Sequence, residues 1–99
     1  MEDKDPVWLK DKGDHFFRRA DYTAALNAYA KSIKADPTLL PAKLNRATTF
    51  IKMRAFDLCV SDCDELIEYI KNLKEDEIEG DRPYYMKIMA RAYLKRGAA

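Results

Sequence analysis

Two cysteines, one histidine and a short run of acids are the side chains in this 99-residue sequence best equipped to attack, ligate or move a proton. Cys59 and Cys63 fall four apart inside an apolar-periodic segment, a spacing that stacks them on one helical face, pointing into a core. A metal site needs further ligands, and the sole histidine, His15, is distant in sequence. A disulfide framework needs more cysteines and an oxidising compartment. The pair therefore reads as two small buried hydrophobes, with no metal and no cofactor expected. Asp62, Asp64 and Glu65 form an acidic cluster on the same predicted helix and read as exposed charge rather than a general acid or base. The sequence has neither a glycine-rich phosphate loop nor a nucleophile elbow. No catalytic residue is assigned and an enzyme is not expected.

The elements that carry these groups follow from length and composition. Ninety-nine residues make one small domain, burying roughly 65% of its unfolded surface. Eighteen Lys and Arg against 17 Asp and Glu leave a formal charge of +1, so no overall field draws nucleic acid or a membrane. Three glycines and four prolines are too few for the frequent turns of an all-β fold. No apolar run approaches the roughly 20 residues that span a bilayer, and the acidic, polar tail Met1–Asp5 does not read as a signal or transit peptide. A helical, cytoplasmic module is expected.

Residues 6–39 and 40–73 align without a gap at a period of 34. Leu9, Gly13, Phe16, Phe17, Tyr22, Ala25, Leu26, Tyr29, Ile33 and Pro37 mark the first unit. Their counterparts in the second include Ala47, Phe50, Ile51, Phe56, Cys59, Val60, Cys63 and Ile67. That period and pattern are the tetratricopeptide repeat (TPR) signature: a helix, a tight turn, and a second helix packed antiparallel on the first. Gly13, Ala25, Ala47 and Cys59 are small where helices cross, while Phe16, Tyr22 and Tyr29 fill the space between them. Asp36-Pro37 ends one helix and Pro41 suits the first turn of the next. Helices are expected at 6–19, 22–35, 40–53, 56–73 and 83–97. The charged stretch 74–82 reads as a solvated acidic insertion, about sixteen residues of displacement separating the third unit from strict periodicity. Arg91 to Ala99 resembles the opening helix of that third repeat, with Gly97 at the small-residue position. Repeat arrays need about three units, so the chain reads as part of a longer protein. Met86, Met89, Tyr93 and Leu94 are then expected to expose apolar surface, allowing a homo-oligomer of the fragment. The fold expected is all-α: TPR helix-turn-helix repeats in a right-handed superhelix, two full repeats plus the first helix of a third.

The words Trp8-Leu9-Lys10-Asp11-Lys12-Gly13, Asn45-Arg46-Ala47 and Arg91-Ala92-Tyr93-Leu94-Lys95-Arg96-Gly97 resemble those of co-chaperone TPR domains of the carboxylate-clamp class. That family commonly opens L-K-x-K-G-N and binds the acidic C-terminal tails of the chaperones Hsp90 and Hsp70. The resemblance implies clamp roles for Lys10, Asn45, Arg91 and Lys95, the last two with lysine and arginine interchanged. It fails at Asp14, where the family has asparagine: an ionised aspartate offers only acceptors to a ligand carboxylate that needs donors. Lys10 and Asp14, four apart on one face, are also placed to pair with each other. A narrower resemblance, through Trp8 to Gly13 and Ala24-Ala25-Leu26-Asn27-Ala28-Tyr29, is to axonemal dynein assembly factors. It implies other dynein assembly factors as partners and adds ciliary or nuclear sites to the cytoplasmic one.

Helical geometry puts Lys10, Asp14, Phe17 and Arg18 on one face of the first helix. It adds Asn45, Thr48, Ile51 and Lys52 from the second unit, then Arg91 and Lys95 from the third. Five cations against one acid favour an acidic, extended peptide, with apolar residues for Phe17 and Ile51. Two functions stand: a peptide-binding adaptor for a chaperone tail, and an assembly scaffold that docks a folded partner or a second copy, its clamp degenerate.

Overall fold

The structure is a computed structural model describing residues 5–98; residues 1–4 of the expected tail, and Ala99, lie outside the described residues. Its elements are α1 (Pro6–Arg18), α2 (Tyr22–Ala35), α3 (Leu40–Lys52), α4 (Phe56–Lys71), α5 (Glu75–Glu79) and α6 (Arg82–Ala98). No strand occurs among the described residues. The helices pair in sequence, α1 on α2 and α3 on α4, with α2 also against α3 and α6 against α3 and α4. This is a TPR-like helical repeat. The result is a slab of 38 × 35 × 18 Å, the flat form that stacked hairpins take when each layer contacts only its neighbours.

The 34-residue period is visible in the backbone. At the first turn Ala20 N–H donates to Phe17 O and Asp21 N–H to Phe16 O; at the second, Arg54 N–H donates to Ile51 O and Ala55 N–H to Phe50 O. Both are Schellman closures that satisfy the last carbonyls of a helix. Both force a residue into the left-handed region, Ala20 at φ 60° and Arg54 at φ 61°. Asp5 and Asp21 cap α1 and α2 by accepting from free N–H groups of the first turn. Pro6 and Pro41 fit the opening turns, where no N–H is needed. Asp36 ends α2 and accepts from the Thr38 N–H and hydroxyl.

Buried Leu40, Leu44, Ala47, Cys59, Cys63, Leu66, Ile67, Ile70, Ile88 and Ala92 form the core shared by α3, α4 and α6. Cys59 and Cys63 are free and fully buried, as expected of small hydrophobes. Around Gly13 the α1–α2 hairpin closes on the ring of buried Tyr29, while the Ser32 hydroxyl donates to Pro6 O at 2.7 Å and ties the start of α1 to α2.

Three expectations need correction. The stretch 74–82 is not a plain loop: α5 forms within it because Glu77 accepts from the Lys74 N–H and Ile78 turns inward and is buried. Asp62 is not surface charge; it is 3% exposed and held by Arg46. On α6, Tyr93, Leu94 and Met86 are exposed, but Met89 packs against the α3–α4 core.

Candidate functional site

One carboxylate organises the junction of α1, α2 and α3. Asp14 Oδ2 accepts from Lys10 Nζ at 2.9 Å, and Oδ1 accepts from both the Tyr29 hydroxyl at 2.5 Å and Asn45 Nδ2 at 2.8 Å. The Lys10 contact follows from i,i+4 spacing on α1. The Tyr29 contact follows from the close α1–α2 crossing at Gly13, which lays the ring beside the next residue along. Asn45 arrives from the stacking of the second repeat on the first. Lys10 also pairs with Asp11 at 3.2 Å.

The pKa shifts report the same network. The hydrogen bond to Asp14 dominates a rise in the Lys10 ammonium pKa, which partial burial opposes. Burial is the main cause raising the Tyr29 phenol, followed by its bond to Asp14. Lys10 is therefore charged and Tyr29 protonated at neutral pH. No buried side-chain nitrogen or oxygen among the described residues lacks a hydrogen-bond partner.

Beside this network lies an open cleft of about 170 Å³ lined by Asp14, Phe17, Arg18, Tyr29, Asn45 and Thr48. Phe17 is backed by Tyr22, ring centroids 5.6 Å apart. Five of these six residues come from the face that the sequence predicts; the sixth, Tyr29, reads in sequence only as interhelical packing. Its polar role was accessible from the hairpin itself, since Tyr29 crosses at Gly13 and carries a donor next to an acid.

The structure brings Lys10, Asp14, Phe17 and Asn45 together. Lys52 and Arg91 are exposed and Lys95 half-buried, and no polar contact among the described residues joins any of them to Asp14. The Lys95 carbonyl instead accepts a weak bond from Cys59 Sγ at 3.7 Å. Ile51 packs against the α3–α4 core and is not among the cleft residues.

Three of the acids of α4, Asp62, Asp64 and Glu65, brace the helices around them. Arg46 makes a two-pronged pair with Asp62, Nε to Oδ2 at 2.8 Å and Nη2 to Oδ1 at 2.6 Å. Lys43 pairs with Glu65 at 3.2 Å and Arg96 with Asp64 at 2.5 Å. No group of three or more His, Cys, Asp or Glu among the described residues is arranged to hold a metal ion, and no described helix is long and apolar enough to cross a membrane.

Comparison with known proteins finds sequence similarity to Hsp70-Hsp90 organizing proteins and to a dynein axonemal assembly factor. The chain is 29% identical over 90 residues to the Hsp70-Hsp90 organizing protein of Triticum aestivum, covering 91% of this chain and 14% of that protein. It is 30% identical over 98 residues to dynein axonemal assembly factor 4 of Pongo pygmaeus, covering 99% of this chain and 21% of that protein. It is 28% identical over 93 residues to Hsp70-Hsp90 organizing protein 3 of Arabidopsis thaliana, covering 92% of this chain and 15% of that protein. The chain thus spans about a fifth or less of the length of these relatives. No family model matches it, and no solved structure gives a significant match.

Proposed function

We propose that this chain is a non-enzymatic interaction module, a TPR adaptor of the co-chaperone kind. In this reading it receives the acidic, extended C-terminal tail of an Hsp90- or Hsp70-type chaperone, in the cytoplasm and in the setting of axonemal dynein assembly. Repeat 1 is 6–39, repeat 2 is 40–73, 74–82 is an acidic insertion, and 83–97 opens a third repeat. The observation that carries the reading is the cleft at Asp14: an aromatic wall from Phe17, a cation from Arg18, and polar groups from Asn45 and Thr48 side by side between two stacked hairpins. An extended peptide with acidic side chains fits such a surface, its charges met by Arg18 and then by Lys52, Arg91 and Lys95. The names of the relatives support the choice of chaperone and of dynein assembly.

The test is titration of the chain with a labelled Met-Glu-Glu-Val-Asp peptide at low and high salt. Micromolar affinity that falls as salt screens the exposed cations, and falls again in Arg18→Ala, is expected. Failure to bind at low salt defeats the reading.

A second reading, an assembly scaffold, draws on α6, where Tyr84, Met86, Tyr93 and Leu94 are exposed and Leu94 is 74% accessible. It predicts concentration-dependent sedimentation that Leu94→Glu abolishes.

A further inference from the structure

We propose that Asp14 is the groove's own carboxylate ligand, so that the site takes an acidic peptide through its side chains and not through a free C-terminal carboxylate. The inference rests on the groove reading above. Carboxylates are recognised by converging donors, and three of different chemistry converge here: an ammonium, a primary amide and a phenol. All three point at one anion, and that anion belongs to the protein. Asp14 takes Lys10 at 2.9 Å on one oxygen, and Asn45 at 2.8 Å with Tyr29 at 2.5 Å on the other. The carboxylate is half-buried and held by donors from three helices, α1, α2 and α3, so it is fixed in place before any ligand arrives.

A second carboxylate entering here meets a like charge, and donors whose best-aimed N–H and O–H groups already serve Asp14. A ligand's backbone N–H or hydroxyl, in contrast, can donate to the acceptor capacity Asp14 retains. The remaining cation of the cleft, Arg18, is left for an acidic side chain. The class of ligand selected is therefore an extended acidic segment read along its length, whether it ends at the groove or continues past it. Asp14 is the residue that sets this specificity.

The experiment compares Met-Glu-Glu-Val-Asp peptides ending in the free acid and in the amide, on the 99-residue chain and on Asp14→Asn. The wild type is expected to bind both within about twofold of each other. In Asp14→Asn, which releases Lys10 and Asn45 from the Asp14 carboxylate and adds an amide donor, the free acid is expected to gain about tenfold or more over the amide. Loss of wild-type binding by about tenfold on amidation overturns the inference and leaves the groove reading intact. No binding of either peptide to the wild type removes the groove reading and the inference with it. The wild-type comparison stands even where Asp14→Asn fails to fold, which circular dichroism reports.

Discussion

A Cβ placed on Gly13 lies 2.5 Å from Cε1 of Tyr29, too close for any real contact. One period later the same crossing is built from Ala47 and Cys63, both fully buried, so the larger partner in one repeat is matched by a smaller residue across from it. Tyr29 is 1% exposed and has no room to retreat. Gly13→Ala is expected to cost about 1–3 kcal/mol through overpacking, more than the roughly 0.5–1 kcal/mol that alanine gains in a helix. It also dislodges the Tyr29 hydroxyl from Asp14. Thermal unfolding checks this, and a double-mutant cycle checks its cause. Gly13→Ala with Tyr29→Cys, copying the second repeat, should be less destabilised than the two single changes summed.

Arg46 and Asp62 form the one ion pair in which a carboxylate side chain is nearly sealed from water, at 4% exposure against 23% for the arginine, among the described residues. Removing the arginine alone strands the charge, and Arg46→Ala is expected to lose about 3 kcal/mol in urea unfolding. Replacing both, as Arg46→Met with Asp62→Leu, should restore most of it. Equal losses in the single and double variants would show that the pair contributes beyond charge compensation.

The two left-handed residues offer a stabilising change. For an L-residue that conformation costs roughly 1–2 kcal/mol, and glycine removes the cost while adding about 0.5–1 kcal/mol of unfolded-state entropy. Ala20→Gly is expected to raise the melting temperature by about 2–4 °C, equivalent to about 0.5 kcal/mol. Arg54→Gly should gain less, because the Arg54 guanidinium lies 5.9 Å from the Phe56 ring centre and that contact is lost.

Alkaline pH should progressively lower the stability of the chain. Burial, with Cys59 beside it, pushes the Cys63 thiol from 9.0 up to about 12. A raised folded pKa means that the folded state holds its proton more tightly than the unfolded one. The contribution is whole below pH 9.0 and is lost as pH rises toward 12. Lys10, raised above 10.5 chiefly by Asp14, follows the same sign from a higher starting point. Urea midpoints under reducing conditions should therefore begin to fall near pH 9, and Cys63→Ala should flatten the decline between pH 9 and about 10.5.

Much of this architecture was legible because period and local chemistry agree. The 34-residue repeat, the small residues at crossings and the proline and aspartate stops place α1 to α4 within two residues, with Tyr22–Ala35 as expected. What sequence could not give was which polar partner each charge would choose across helices. Asp62 looks like any acid on a charged helix until the stacking of α3 on α4 sets Arg46 opposite it. Tyr29 reads as filler until the Gly13 crossing turns its hydroxyl to Asp14. Residues 74–82 read as solvated because eight of nine are charged or glycine, and the exception, Ile78, is the one that anchors α5. At the groove, the Lys10–Asp14 pair was available from spacing alone, whereas the convergence of three donors needed three helices in place.

The central claim, that the cleft between α1 and α3 is the peptide site, is tested most directly by following backbone amide resonances of the ¹⁵N-labelled chain during titration with the acidic pentapeptide. The account predicts saturable shifts largest at Phe17, Arg18, Asn45 and Thr48, weakening with salt. Shifts confined to α6 around Tyr93 and Leu94, or no saturable shift at all, would contradict it.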